Sequence, residues 1–180
     1  DCHTEQRKYL DTGTNQGIAW RASAFADGTW SAGHGNFGYS SGGGEATTVS
    51  YGPDANNKYI TTYFRKAINI ADPTAFADFT LNVKRDDGVV VYINGTERYT
   101  NNIGSNPLYT ALATNAADNG TVAQTVTLSN TFFTAGVNVI AVEIHQTAVT
   151  SSDIAFDMEL IGQASAAPPA TLMAFGGNWR

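Results

Sequence analysis

Asp86-Asp87-Gly88-Val89-Val90-Val91-Tyr92-Ile93-Asn94-Gly95 is the stretch whose reading decides the fold. Asp-Gly and Asn-Gly are strong short-turn signals, because both partners tolerate positive φ. Between them, a run of β-branched and aromatic residues is comfortable only as a strand buried on at least one face. Just upstream, Phe79, Leu81 and Val83 alternate with Thr80, Asn82 and Lys84, the pattern of a half-buried strand. The spacing predicts a β-meander over 78–100. Its tips are Asp86 and Asp87 at one end and Asn94 and Gly95 at the other.

The same period recurs along the chain. Ile140, Val142 and Ile144 alternate with Val139, Ala141, Glu143 and His145, and Ile154, Phe156, Met158 and Leu160 alternate with Ala155, Asp157 and Glu159. Val122–Leu128 alternates likewise, and Tyr59–Ile70 is rich in Thr, Ile and aromatics until Asp72-Pro73 ends it. Lys8–Leu10 and Ile18–Trp20 read as short strands. Residues 31–45 hold Gly33, Gly35, Gly38, Gly42, Gly43 and Gly44, a density that predicts a surface loop. That loop lacks the Lys-Ser/Thr ending of a phosphate cradle. Residues 100–120 form a second long polar loop, of the length that often carries function. With no segment of helical period, the expectation is an all-β, two-sheet β-sandwich of jelly-roll type.

The organisation expected is a sandwich module over 1–162, an Ala/Ser/Pro linker over 163–171 and a strand-like segment over 172–180. If Trp179-Arg180 corresponds to Arg7-Lys8, that last segment begins a following copy; otherwise it folds back onto this domain. The net charge of −6 and the 14% of charged residues argue against nucleic acid, whose phosphates require a basic patch. No apolar run approaches the roughly 20 residues of a membrane span, so no membrane insertion is expected. Cys2 is the single cysteine and excludes an internal disulfide. Scarce Cys and Lys with abundant Asn, Thr and Gly suit an extracellular bacterial module.

Several stretches together resemble the galactose-binding-like jelly-roll modules of secreted bacterial multidomain proteins, including carbohydrate-binding modules and the sugar-binding domains of glycoside hydrolases. They are Lys8-Tyr9-Leu10-Asp11, Phe25 to Trp30, Phe37-Gly38-Tyr39, Tyr59 to Lys66, Asp86 to Gly95, Asn138 to Gln146 and Ser151 to Leu160. They span nearly the whole domain. One departure is Arg7, which stands where the resemblance implies Trp. The resemblance implies an extracellular, secreted or surface accessory domain, with a structural calcium common in the fold.

Chemistry narrows this further. Glycoside hydrolysis requires two carboxylates facing across a cleft, and adjacent Asp86 and Asp87 do not supply that pair. Ser151 or Ser152 with His145 and Asp153 lacks a nucleophile turn. No enzymatic activity and no required cofactor are therefore expected. His3, His34 and His145 lack zinc-ligand spacing. Oxygen donors for calcium are available at Asp27, Asp86 and Asp87, with Asn94, Asn101 and Asn102. Sugar binding calls for aromatic faces and planar polar groups. Trp30, Tyr39, Tyr51 and Tyr109 are the candidate platforms. Arg65, Asp87, Asn101, Asn102, His145 and Gln146 are the candidate polar partners. The competing roles are core packing for Trp30 and Tyr39, and for Arg65 an ion pair with Glu143 or an Asp. The function expected is carbohydrate binding, with a polysaccharide or glycan as partner. The alternative is an adhesive repeat that pairs with neighbouring copies through 172–180, and a hydrolase ranks third.

Overall fold

The computed structural model describes residues 6–114 and 118–165; Cys2, His3 and the 172–180 segment lie outside them. Among the described residues, eleven strands form two sheets. They are β1 (Arg7–Leu10), β2 (Ser31–Gly33), β3 (Phe37–Tyr39), β4 (Thr47–Thr48), β5 (Thr61–Ile70), β6 (Phe76–Asp86), β7 (Gly88–Ile93), β8 (Thr96–Asn101), β9 (Gln124–Ser129), β10 (Gly136–His145) and β11 (Ile154–Ala164). One sheet has the order β2-β1-β5-β10-β7-β8, the other β4-β3-β11-β6-β9. From β5 onward the chain crosses between sheets at every connection except the β7–β8 hairpin. The result is the expected all-β, two-sheet β-sandwich.

The core lies between the sheets. Phe64, Val91, Val142 and Ile144 of the six-stranded sheet meet Phe37, Leu81, Val83 and Phe156 of the five-stranded one, all at most 2% exposed. These are the alternating apolar positions that the sequence pattern marks. Asn94 at φ 50° and Gly95 at φ 86° make the β7–β8 turn, which both residue types tolerate. The Asn94 side chain fixes the turn by accepting from Val139 N (2.9 Å) and donating to Asn138 (2.7 Å).

Four expectations change. The stretch 78–100 is not a meander: β6 lies in one sheet and β7 in the other, so Asp86 and Asp87 form a crossing between layers. Both are 3% exposed rather than at a solvent-facing tip. Residues 31–45 hold two strands, and Phe37 is fully buried in the core. Glycine density there reflects close backbone approach, since a Cβ on Gly38 would stand 2.1 Å from the Ile154 carbonyl oxygen. Ala19–Arg21 is a 3-10 turn that buries Trp20, not a strand. Finally, β11 runs to Ala164, two residues into the expected linker.

Gly38→Ala is expected to lower stability by about 1–3 kcal/mol in urea unfolding, the usual cost of overpacking a filled core. Gly42→Ala, whose Cβ would meet nothing within 4 Å, should change little on that account and serves as the control.

Candidate functional site

At the centre of the six-stranded sheet, β7 and most of β10 are buried on both faces. Its outer face carries Tyr63, Val90, Tyr92 and Ala141, which form a second apolar cluster with Trp20 and Trp30. The cover is the segment around the 19–21 turn, and beside it the 102–114 loop contributes Ile103. Trp20 sits at the centre of this layer, edge-on to Tyr63 at 4.8 Å and to Tyr92 at 5.8 Å.

Charged groups hold the cover down. Arg65 of β5 pairs with Asp27 (2.8 Å) and donates to the carbonyls of Trp20, Ala22 and Phe25. Arg65 is therefore a structural clamp with an Asp partner. Glu143 of β10 is 2% exposed and accepts from the Tyr92 hydroxyl at 2.6 Å. Its cationic neighbour is Arg21 at 3.4 Å, whose guanidinium also lies 4.1 Å from the Tyr92 ring. His145 Nε2 stands 3.6 Å from the other Glu143 oxygen. Its Nδ1 sits 2.9 Å from the Ala111 carbonyl and 3.1 Å from Thr61 Oγ1. Thr61 in turn donates to the Tyr109 carbonyl. The buried histidine thus fixes the 109–111 backbone against the sheet.

Between the two cover segments opens a cleft of about 240 Å³ lined by Asn15, Ile18, Arg21, Tyr63, Asn106, Leu108, Tyr109 and Glu143. Its floor is polar: Arg21 donates to Asn106 (3.3 Å) and to Glu143. The Tyr63 hydroxyl is pushed up to about 12 by burial and by the Glu143 charge, so it remains a donor at neutral pH. Its rim is apolar and open, with Ile18 75% and Leu108 77% exposed. Tyr109 also borders a second depression of about 440 Å³ lined by Lys58, Tyr59, Thr61, Leu112 and Val149. Planar polar groups beneath exposed aliphatic and aromatic edges suit a polyhydroxylated ring, whose hydroxyls and C–H faces need both.

The sequence-derived candidates divide. Tyr109 lines the cleft, and Tyr51 is exposed and meets Tyr39 edge-on at 5.1 Å. Trp30 and Tyr39 are 5% and 7% exposed and are core residues, not platforms. Gln146 is buried and donates to Tyr39 and to the Tyr59 carbonyl. Asp87 accepts from Thr147 N at 2.7 Å. Asn101 accepts from Arg85, and Asn102 donates to the Asp87 carbonyl. Arg21, Tyr63, Asn106, Leu108 and Glu143 were not among the candidates. Glu143 was legible only as an ion-pair partner for Arg65, which pairs with Asp27 instead.

Of the oxygen donors read as a calcium set, Asp86 and Asp87 share a side-chain hydrogen bond. Asp27 is engaged by Arg65, while the acids acting on Asp86 are Asp87, Asp153 and Asp118. Among the described residues no three acidic, His or Cys side chains are placed to hold a metal. Burial, and then the Asp87 and Asp153 charges, push Asp86 up to about 8 from 3.8.

No protein-family model and no curated protein gives a significant match. Solved structures do. A calcium-binding mutant of Bacteroides uniformis β-glucuronidase 2 is similar over 87% of this chain and 17% of its own, with 14% identity and a TM-score of 0.54. Bifidobacterium dentium β-glucuronidase complexed with coumarin-3-O-glucuronide is similar over 78% and 19%, with 10% identity and a TM-score of 0.50. The likeness shows a shared fold. This chain spans about a fifth or less of each of these enzymes. No helix among the described residues is long and apolar enough to cross a membrane.

Two measurements check the electrostatics. Native Asp86 keeps its proton to about pH 8, whereas the unfolded chain releases it near 3.8. This group's contribution to stability therefore falls as pH rises from about 4 to 8, and Asp86→Asn should flatten that slope in urea unfolding across the range. Arg21→Met leaves Glu143 buried without its cation and should cost about 3–5 kcal/mol. Pairing it with Glu143→Leu should recover most of that loss in a double-mutant cycle.

Proposed function

We propose that this chain is a non-catalytic, carbohydrate-binding accessory module of a larger secreted or surface protein. The observation that carries this reading is the cleft beside Tyr109, with its Arg21–Glu143–Tyr63 floor and exposed Ile18–Leu108 rim. Two further points support it. The charged groups of the floor are engaged with one another: Glu143 accepts from Tyr92 and Arg21. This suits recognition rather than proton transfer. The similar structures are glycoside-processing enzymes in which the comparable part is a minor share of the chain.

The test is retention in affinity electrophoresis on soluble plant and bacterial polysaccharides, followed by calorimetry on the best ligand. Tyr109→Ala should weaken binding at least tenfold without shifting the unfolding midpoint by more than a few degrees. Tyr51→Ala should leave binding unchanged. Absence of retention on every polysaccharide, or binding indifferent to Tyr109→Ala, would overturn the reading.

A further inference from the structure

Tyr109 lines two openings: the cleft over Glu143, and the depression that holds Tyr59, Thr61, Leu112 and Val149. Tyr63 borders the first and Thr61 the second. These two residues share the outer face of β5 and pair across the ladder with Glu143 and His145. Two residues span about 7 Å along a strand, so the openings are adjacent. The wall between them is pinned from below. Thr61 donates to the Tyr109 carbonyl, and His145 Nδ1 lies 2.9 Å from the Ala111 carbonyl. Exposed apolar side chains flank both openings: Ile18 and Leu108 at the first, Val149 and the 52% exposed Leu112 at the second. Alone, the cleft of about 240 Å³ is smaller than the roughly 300–1,000 Å³ of a usual small-molecule site. Joined to the depression of about 440 Å³, it falls inside that range.

We propose that one glycan chain crosses Tyr109 and occupies both openings, so that at least two linked sugar units are bound together. This rests on the carbohydrate-binding reading above and names the class of ligand: an oligosaccharide or a stretch of polysaccharide, not a single sugar. The chemistry of the second opening repeats that of the first. Asn57 and Thr110 supply polar groups for hydroxyls, and Leu112 and Val149 supply apolar edges for C–H faces. Lys58 contributes a cation held in place by its bond to the Ser151 carbonyl and by the Tyr39 and Tyr51 rings, 5.7 and 5.5 Å away. Because the wall is fixed before binding, a second unit adds its contacts without the cost of ordering the loop. Affinity therefore grows with chain length until both openings are filled.

Calorimetry on the full chain tests this, with fragments of one to six units cut from the polysaccharide best retained in affinity electrophoresis. Affinity should rise at least tenfold from one unit to three and then level off, with one fragment bound per protein. Leu112→Ala should cut that length gain at least threefold while keeping the unfolding midpoint within a few degrees of the parent. Equal affinity at every length overturns the proposal and leaves the carbohydrate-binding reading standing. So does the independent binding of two fragments per protein. A length gain untouched by Leu112→Ala also overturns it, because the added units then sit elsewhere. Absence of retention on every polysaccharide overturns both.

Discussion

A carboxylate buried at the centre of a sheet constrains everything above it. Glu143 sits on β10 with Tyr63 and Val90 as its cross-strand neighbours, and is 2% exposed. Burying that charge without a partner would cost several kcal/mol. Arg21 and the Tyr92 hydroxyl supply the partners. Arg21 can do so only if the 19–21 turn lies over the sheet. That placement brings Trp20 onto Tyr63 and Tyr92, and the second apolar layer follows. Arg65 reinforces it by gathering three carbonyls and Asp27 from the same segment.

The cleft is a by-product of this cover. The 19–21 segment and the 106–109 loop approach the sheet from two sides and leave a gap over Glu143. His145 matters here through position rather than chemistry. Its contacts to Thr61 and Ala111 hold the loop whose next turn presents Leu108 and Tyr109. The donors and acceptors of the floor are thus held by their structural contacts, and preorganisation of that kind lowers the cost of binding.

The alternation of Ile140, Val142 and Ile144, of Phe79, Leu81 and Val83, and of Ile154, Phe156 and Met158 made the sandwich and its inner face legible. The outer face was not. Glu143 and His145 look like solvent-facing residues of a half-buried strand. Only tertiary contact with a distant 3-10 turn shows that both faces of β10 are covered. Asp86-Asp87-Gly88 misled for a related reason: it has the composition of a hairpin tip, yet both aspartates are buried where the chain crosses between layers. Around Phe37, glycine density masked a strand, because Gly38 is small to admit the Ile154 carbonyl rather than to bend a loop. Aromatic residues were read as platforms from their loop-like neighbours. Burial then assigned Trp30 and Tyr39 to packing and left Tyr109 in the site.

A glycan seated in the cleft over Glu143 is the central proposal. Amide chemical-shift mapping during titration with a binding oligosaccharide tests this most directly. Perturbations should concentrate at residues 15–21, at Tyr63 and at 106–109, with the five-stranded sheet silent. Perturbations centred on Tyr39 and Tyr51, or on the outer surface of the five-stranded sheet, would contradict it.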